Sequence, residues 1–205
     1  YPLLWILTES DLLRDQYFCK IMLLFIYISR GIIAIINEYY PILPNVSDVA
    51  YYHSLGIDFS REILIQGSGI GSSAFGNYFI GTLYFILGAS PVLISIANTF
   101  IYSITILIII KICHKLKFYN YWLVVLLAAI IPSSFLYIPV MLRESLFLLF
   151  SSLYFYRLII LCSKKNMSYN EHLIIILLLF SAAFIRPQIF PLYILSYLFC
   201  FQPIF

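Results

Sequence analysis

Long apolar runs constrain the fold of this chain more than any other feature of its sequence. A transmembrane helix needs about 20 mostly apolar residues, and it satisfies its own backbone hydrogen bonds where water is absent. The runs therefore predict an all-α fold, a polytopic transmembrane helical bundle. They lie at residues 17–36, 91–112, 121–137, 145–161, 172–185 and 189–205.

The composition agrees with this fold class and excludes several functions. Charged residues make up 10% of the chain, whereas a soluble domain carries about 25%. The net charge of +3 comes without a basic run, so we expect no binding to nucleic acid. Lysine and arginine at cytoplasmic helix ends account for this small surplus.

The spacing of the cysteines and the residues at the two chain ends lead to two further predictions. The cysteines show neither Cys-x-x-Cys spacing nor a Cys/His cluster, so we expect free thiols, no zinc site and no disulfide. The chain starts at Tyr1 and stops at Phe205 inside an apolar run, which we interpret as part of a longer protein. The four cysteines are Cys19, Cys113, Cys162 and Cys200.

The apolar runs divide one membrane domain, residues 1–205, into four parts. They are a cytoplasmic lead (1–16), a first span (17–36), an outer loop (37–89) and a helical bundle (90–205). The outer loop contains the long polar interval of the chain, roughly residues 37–77, and we expect short amphipathic helices in the loop, interfacial or re-entrant. Ser47 and Asp48 predict the start of one such helix, and Gly56 predicts its end.

The basic residues predict which side of the membrane the outer loop faces. Short loops rich in lysine and arginine are cytoplasmic. Arg14 with Lys20, residues 111–117 and residues 164–165 share one side if residues 77–87 do not cross. We prefer this topology; a crossing at 77–87 would place residues 111–117 outside. The chain is then a multi-pass protein of the cytoplasmic (plasma) membrane with its active face outward.

In this topology the outer side collects arginines and carboxylates. Arginine binds phosphate through two parallel N–H groups, whereas lysine acts more as a point charge. A pocket of these side chains at the outer surface suits a lipid-linked phosphate. The residues predicted to bind such a substrate are Tyr52, His53, Arg143, Glu144 and Arg186.

Asp48 is the strongest single candidate for a catalytic residue. Its carboxylate could take a proton from an acceptor hydroxyl or could hold a divalent metal ion. The simpler alternative is a helix N-cap. Tyr52 follows four residues later on the same helical face and could orient Asp48, and His53 has a supporting role.

Five short motifs follow one another along the chain in an order that can be compared with known families. They are Asp48-Val-Ala-Tyr-Tyr-His53, residues 77–88, Ser90-Pro91, Arg143-Glu144 and Arg186. Their order and spacing resemble the amino-terminal half of the GT-C superfamily of integral-membrane glycosyltransferases. The resemblance implies a polyprenyl-phosphate sugar donor, a catalytic acidic residue at Asp48 and phosphate binding by the outer loops. Many members have a paired acidic motif where this chain has one Asp, which leaves a cofactor, Mg²⁺ or Mn²⁺, open.

The expected function is therefore transfer of a sugar from polyprenyl phosphate to an acceptor hydroxyl, in the synthesis of cell-envelope polysaccharide. The expected partners are the lipid bilayer and the lipid-linked donor. An O-antigen-type polysaccharide polymerase or ligase is a second enzyme interpretation, because it also uses outer arginines on lipid-linked sugar. A non-enzymatic transporter or flippase component would require charged or broken helices near the membrane midplane, where only Arg30 qualifies.

Overall fold

A computed structural model of the chain describes residues 17–40, 42–43, 47–61, 75–131, 143–163 and 168–199. Within these residues the chain is all-helical and contains no strand. The α-helices are α1 (Tyr17–Tyr39), α2 (Ser47–Arg61), α3 (Gly81–Leu87), α4 (Pro91–Lys115), α5 (Tyr121–Ile130), α6 (Glu144–Ser163), α7 (Tyr169–Ile185) and α8 (Phe190–Phe199). A π-helix, Phe75–Ile80, leads directly into α3, and a 3₁₀ turn, Pro187–Ile189, joins α7 to α8.

Among the described helices, α1, α4 and α6 are long and apolar enough to cross a membrane. Their bounds lie within three residues of the predicted runs at 17–36, 91–112 and 145–161, so these runs are confirmed as helices. Helix α7 has 17 residues, and α5 and α8 have 10 each. Helix α5 ends at Ile130, short of the predicted 137, and residues 132–142 and 200–205 lie outside the described part.

Helix α4 is central, because it packs against α1, α5 and α6. Small polar residues of α4 are buried, and two of their hydroxyls bond within the helix. Thr99 Oγ1 donates to the Ser95 carbonyl and Ser103 Oγ to the Thr99 carbonyl, each at 3.0 Å. Ser145 Oγ of α6 donates to Asn98 Oδ1 at 2.7 Å. Small side chains whose hydroxyls are satisfied let two helices approach closely in an apolar environment.

Arg30 lies in the packed interface between α1, α4 and α5, where it is only 1% exposed. Its Nη2 donates to the Ala128 carbonyl at 2.9 Å, and Tyr102 Oη donates to the same oxygen at 3.0 Å. The guanidinium carbon lies 4.6 Å from the centre of the Tyr102 ring. The last carbonyls of a helix have no partner within that helix, so Arg30 and Tyr102 together cap the carboxyl end of α5.

The segment between α1 and α4 contains two packed helical pieces, α2 and the π-helix with α3. A Cβ atom on Gly56 would lie 2.5 Å from Ile80 Cγ2, and one on Gly81 would lie 2.5 Å from the Phe59 ring. The predicted helix end at Gly56 is therefore wrong, because this glycine is a point of close helix contact and α2 continues to Arg61. The core between these pieces contains Tyr52, Ile80, Tyr84 and Ile94.

The cysteines differ from their prediction at one described position. Cys19 and Cys113 carry thiol groups that are not in disulfides, as predicted. Cys162, at the end of α6, is disulfide-bonded, so the expectation of free thiols is wrong there. Disulfide pairing depends on the distance between two Cβ atoms in space, which the spacing of cysteines along this chain does not reveal.

Candidate functional site

Arg143, Glu144 and Arg186, here called the arginine cluster, meet where the amino end of α6 lies beside the carboxyl end of α7. Arg143 immediately precedes α6, and its Nη1 donates to the carbonyl of Ile185 at 3.2 Å. Ile185 is the last residue of α7, so this carbonyl belongs to the helix end that lacks internal donors. The positive charge of Arg143 also complements the negative end of the helix dipole.

Glu144 and Arg186 form an ion pair across the same two helix ends. Arg186 Nη2 donates to Glu144 Oε1, and Glu144 lies in the first turn of α6, where a carboxylate is favourable. The Arg186 guanidinium carbon lies 5.3 Å from the centre of the Phe147 ring. The two side chains keep 35% and 30% of their surface exposed, so a ligand can reach the pair.

This ion pair has one hydrogen bond where its chemistry allows two. Among the described residues, Glu144 Oε2 and Arg186 Nε are buried and have no hydrogen-bond partner. Arginine and carboxylate groups frequently pair through two parallel bonds, and a buried polar atom left unpaired costs about 1–3 kcal/mol. The single hydrogen bond therefore holds Glu144 and Arg186 together less firmly than two parallel bonds would. A small rotation of either side chain would break it.

An apolar cavity of about 490 Å³ lies beside the arginine cluster. Its volume falls in the range of about 300–1,000 Å³ that is usual for ligand pockets. Ile185, which lines it, directly precedes Arg186, and Leu146 follows Glu144 by two residues. The cavity and the cluster together suit an amphiphile with an anionic head and an apolar body. Other lining side chains are Tyr78 and Phe79 of the π-helix, Phe150 of α6, and Phe180 and Phe184 of α7.

Asp48 lies in the first turn of α2, because this helix begins at Ser47 as predicted. Its side chain is outside the described part of the chain, so its catalytic role stays a prediction. The Tyr52 side chain, one turn later, is 1% exposed and packs with Ile80, Tyr84 and Ile94. Tyr52 therefore contributes to the packing of α2 on α3.

His53 joins α2 to α3 through Tyr84. His53 Nδ1 lies 2.7 Å from Tyr84 Oη, and the two rings meet edge to face. Burial raises the pKa of the Tyr84 phenol, with a smaller contribution from the Glu38 carboxylate. The phenol therefore stays protonated, and its hydrogen bond with His53 Nδ1 links the two helices. His114 and His172 make the same Nδ1 contact with Tyr121 and Tyr197. The common role of these three His–Tyr hydrogen bonds is therefore to hold neighbouring helices together.

A metal site has no support among the described side chains. None of them forms a group of three histidine, cysteine or carboxylate residues that could hold an ion. The Mg²⁺ or Mn²⁺ expectation rested on Asp48, and it stays a prediction from sequence.

Phe147 and the aromatic lining of the cavity were not found from sequence. Phenylalanine and tyrosine number 18 each, so an aromatic residue carries little information in this chain. The available signal was position, since Phe147 follows Glu144 by three residues and thus lies on the same helical face.

The fold and the site define an all-helical protein with three described helices suited to crossing a membrane and a charged cluster beside an apolar cavity. No family model, curated protein or solved structure matches the chain. A proposal for the function of this chain is therefore argued from its fold and from the arginine cluster with its cavity.

Proposed function

We propose that this chain is a membrane glycosyltransferase, or the amino-terminal part of one. It moves a sugar from a polyprenyl-phosphate donor to an acceptor hydroxyl at the outer face of the plasma membrane. One observation carries the proposal: Arg186 lies with Arg143 and Glu144, 42 residues from Glu144 in sequence, beside an apolar cavity.

The charges and the cavity match the two halves of such a donor. Arg143 and Arg186 present guanidinium groups, which bind phosphate oxygens through directed N–H donors. The cavity lies between the π-helix, α6 and α7 and is lined by aromatic and aliphatic side chains. The first part of a polyprenyl chain occupies it while the phosphate stays at the arginine cluster.

The length of the short apolar helices supports an outward-facing site. The apolar stretch Tyr78–Leu87 rises about 1.5 Å per residue, which gives about half of the ~30 Å hydrocarbon thickness. We therefore assign this stretch to the outer loop, as a segment that does not span. With the predicted run at residues 121–137 as a crossing, α4 and α6 both begin on the outer side, together with Arg143 and Glu144.

The transfer step requires one bond to break and one to form. The bond between the anomeric carbon and the phosphate oxygen breaks, and its electron pair leaves on the phosphate. The acceptor oxygen attacks the same carbon while Asp48 takes the hydroxyl proton. Arg143 and Arg186 stabilise the negative charge that grows on the phosphate, and direct displacement inverts the anomeric carbon.

Transfer of a labelled sugar from polyprenyl phosphate tests this proposal directly. The full chain is assayed in membranes with glucosyl, mannosyl and galactosyl donors, and label is followed into the acceptor fraction. We expect Asp48→Asn to reduce turnover by about 10²–10⁴-fold, the usual contribution of general base catalysis. Asp58→Asn, at an exposed position on the same helix, is the matched control and keeps wild-type turnover. Full turnover by a folded Asp48→Asn variant would refute the role of Asp48.

A further inference from the structure

The arginine cluster carries a net charge of one positive unit among the described residues. Two guanidinium groups, Arg143 and Arg186, surround one carboxylate, Glu144, which bonds directly to Arg186. Cations alone would hold a phosphate more tightly, because a carboxylate repels an anion placed beside it. The presence of Glu144 therefore calls for an explanation in terms of the ligand.

The donor and the spent carrier differ in charge. A sugar-bearing polyprenyl phosphate is a phosphodiester and carries one negative charge. After transfer, the carrier is a phosphomonoester, and such a group carries about −1.5 to −2 at pH 7. A site of one positive unit neutralises the first of these and leaves the second with uncompensated negative charge next to Glu144.

We infer that Glu144 lowers the affinity of the site for the dianionic phosphomonoester of the spent carrier more than its affinity for the monoanionic phosphodiester of the intact donor. This inference rests on the proposed function and deepens it by assigning a specificity-determining residue. Its consequence is that the spent carrier dissociates from the cluster more easily than it would from a site without Glu144. The spent lipid then leaves the cluster and a new donor enters.

The geometry of the ion pair fits this role better than a purely structural one. The side chains keep about a third of their surface exposed, and a single bond joins them while Glu144 Oε2 and Arg186 Nε have no partner among the described residues. A pair with this much accessible surface and one hydrogen bond contributes little to stability, on the order of 1 kcal/mol. Arg186 can therefore turn its Nε–H toward a phosphate oxygen. Glu144 then stays beside Arg186, where its carboxylate repels the ligand in proportion to the ligand's negative charge.

The test uses two lipids that carry no sugar, polyprenyl phosphate and its methyl ester. The first is a phosphomonoester and the second a phosphodiester, and their apolar chains are identical. Dissociation constants of both lipids are measured for the full chain in nanodiscs of neutral lipid. We expect Glu144→Gln to shift the ratio of the two constants toward the phosphomonoester by about tenfold. Glu144→Asp keeps the carboxylate and the wild-type preference.

The matched control is Glu171→Gln, which changes a glutamate in the first turn of α7, and we expect it to leave the ratio unchanged. Binding of both lipids with a ratio that Glu144→Gln does not shift refutes this inference alone. Binding of neither lipid by any form refutes the proposed function and the inference with it.

Arg143→Gln provides a second variant, because it removes a guanidinium and keeps the ion pair. It shifts the ratio in the opposite direction, toward the methyl ester, and an unchanged ratio again refutes the inference.

A kinetic readout separates charge selection from loss of structure. Inhibition of transfer by added polyprenyl phosphate strengthens in Glu144→Gln, because the carboxylate repels a dianion about twice as strongly as a monoanion. The KM for the monoanionic donor falls by a smaller factor. Damage to the fold would weaken the binding of both lipids by a similar factor. That result would contradict the inference.

Discussion

Two arginine sites in this protein use the same guanidinium group in opposite ways. Arg30 is 1% exposed and donates to a backbone carbonyl at the end of α5. Arg186 keeps 35% of its side chain exposed and pairs with the carboxylate of Glu144 through one bond. A backbone carbonyl cannot leave its helix, whereas a glutamate side chain can rotate away. Burial and the kind of partner therefore make Arg30 a structural cap and Arg186 a residue that can exchange partners.

The largest expected effect tests the buried member of this comparison. Arg30→Ala removes a charged hydrogen bond and the contact with Tyr102, and we expect a loss of about 3 kcal/mol in the free energy of unfolding. The measurement is thermal unfolding in detergent. Arg157→Ala, at an exposed position of α6, changes stability by less than about 0.5 kcal/mol. A normal melting temperature together with lost lipid binding would reverse the role assigned to Arg30.

The second prediction concerns the exposed member. Arg186→Ala lowers the affinity for polyprenyl phosphate about tenfold or more, because a hydrogen bond to a charged group contributes about 1.5–3 kcal/mol. Stability changes by less than about 1 kcal/mol, as for other exposed ion pairs. Lipid binding and melting are measured on the same preparation. The comparison fails if the variant melts early yet binds the lipid normally.

The smallest effect concerns Tyr84, whose hydroxyl bonds to His53. Tyr84→Phe removes this bond and costs about 1 kcal/mol at neutral pH. Burial raises the pKa of Tyr84 in the folded protein, so the neutral phenol stabilises the fold below its unfolded pKa of about 10. Above that pH the advantage of wild type over the variant shrinks, because ionisation then favours the unfolded chain. Melting temperatures of both proteins between neutral and alkaline pH check this, and a constant difference would contradict it.

Much of the fold follows from the spacing of apolar residues, whereas the partners of the charged residues do not. The bounds of α1, α4 and α6 agree with the predicted runs because about 20 apolar residues in sequence leave few alternatives to a helix. Arg143, Glu144 and Arg186 could be selected because charged residues are rare, at 10% of the chain.

Their arrangement depends on how α6 packs against α7, which no local pattern encodes. Arg30 shows the same limit more sharply, since its acceptor is the backbone carbonyl of Ala128, and every residue in the sequence carries such a group. Gly56 was misread for a related reason. Glycine favours helix ends in general, but here its missing side chain makes room for Ile80 of the neighbouring element.

The glycine contact between α2 and α3 has a consequence for anyone who stabilises this protein by substitution. Replacing glycine with alanine inside a helix normally adds about 1 kcal/mol of stability. Here the added methyl group would overlap Ile80 at position 56, or the Phe59 ring at position 81, at 2.5 Å. We therefore expect the usual benefit to change sign at both positions, because Ile80 or the Phe59 ring would have to shift to accept the methyl group.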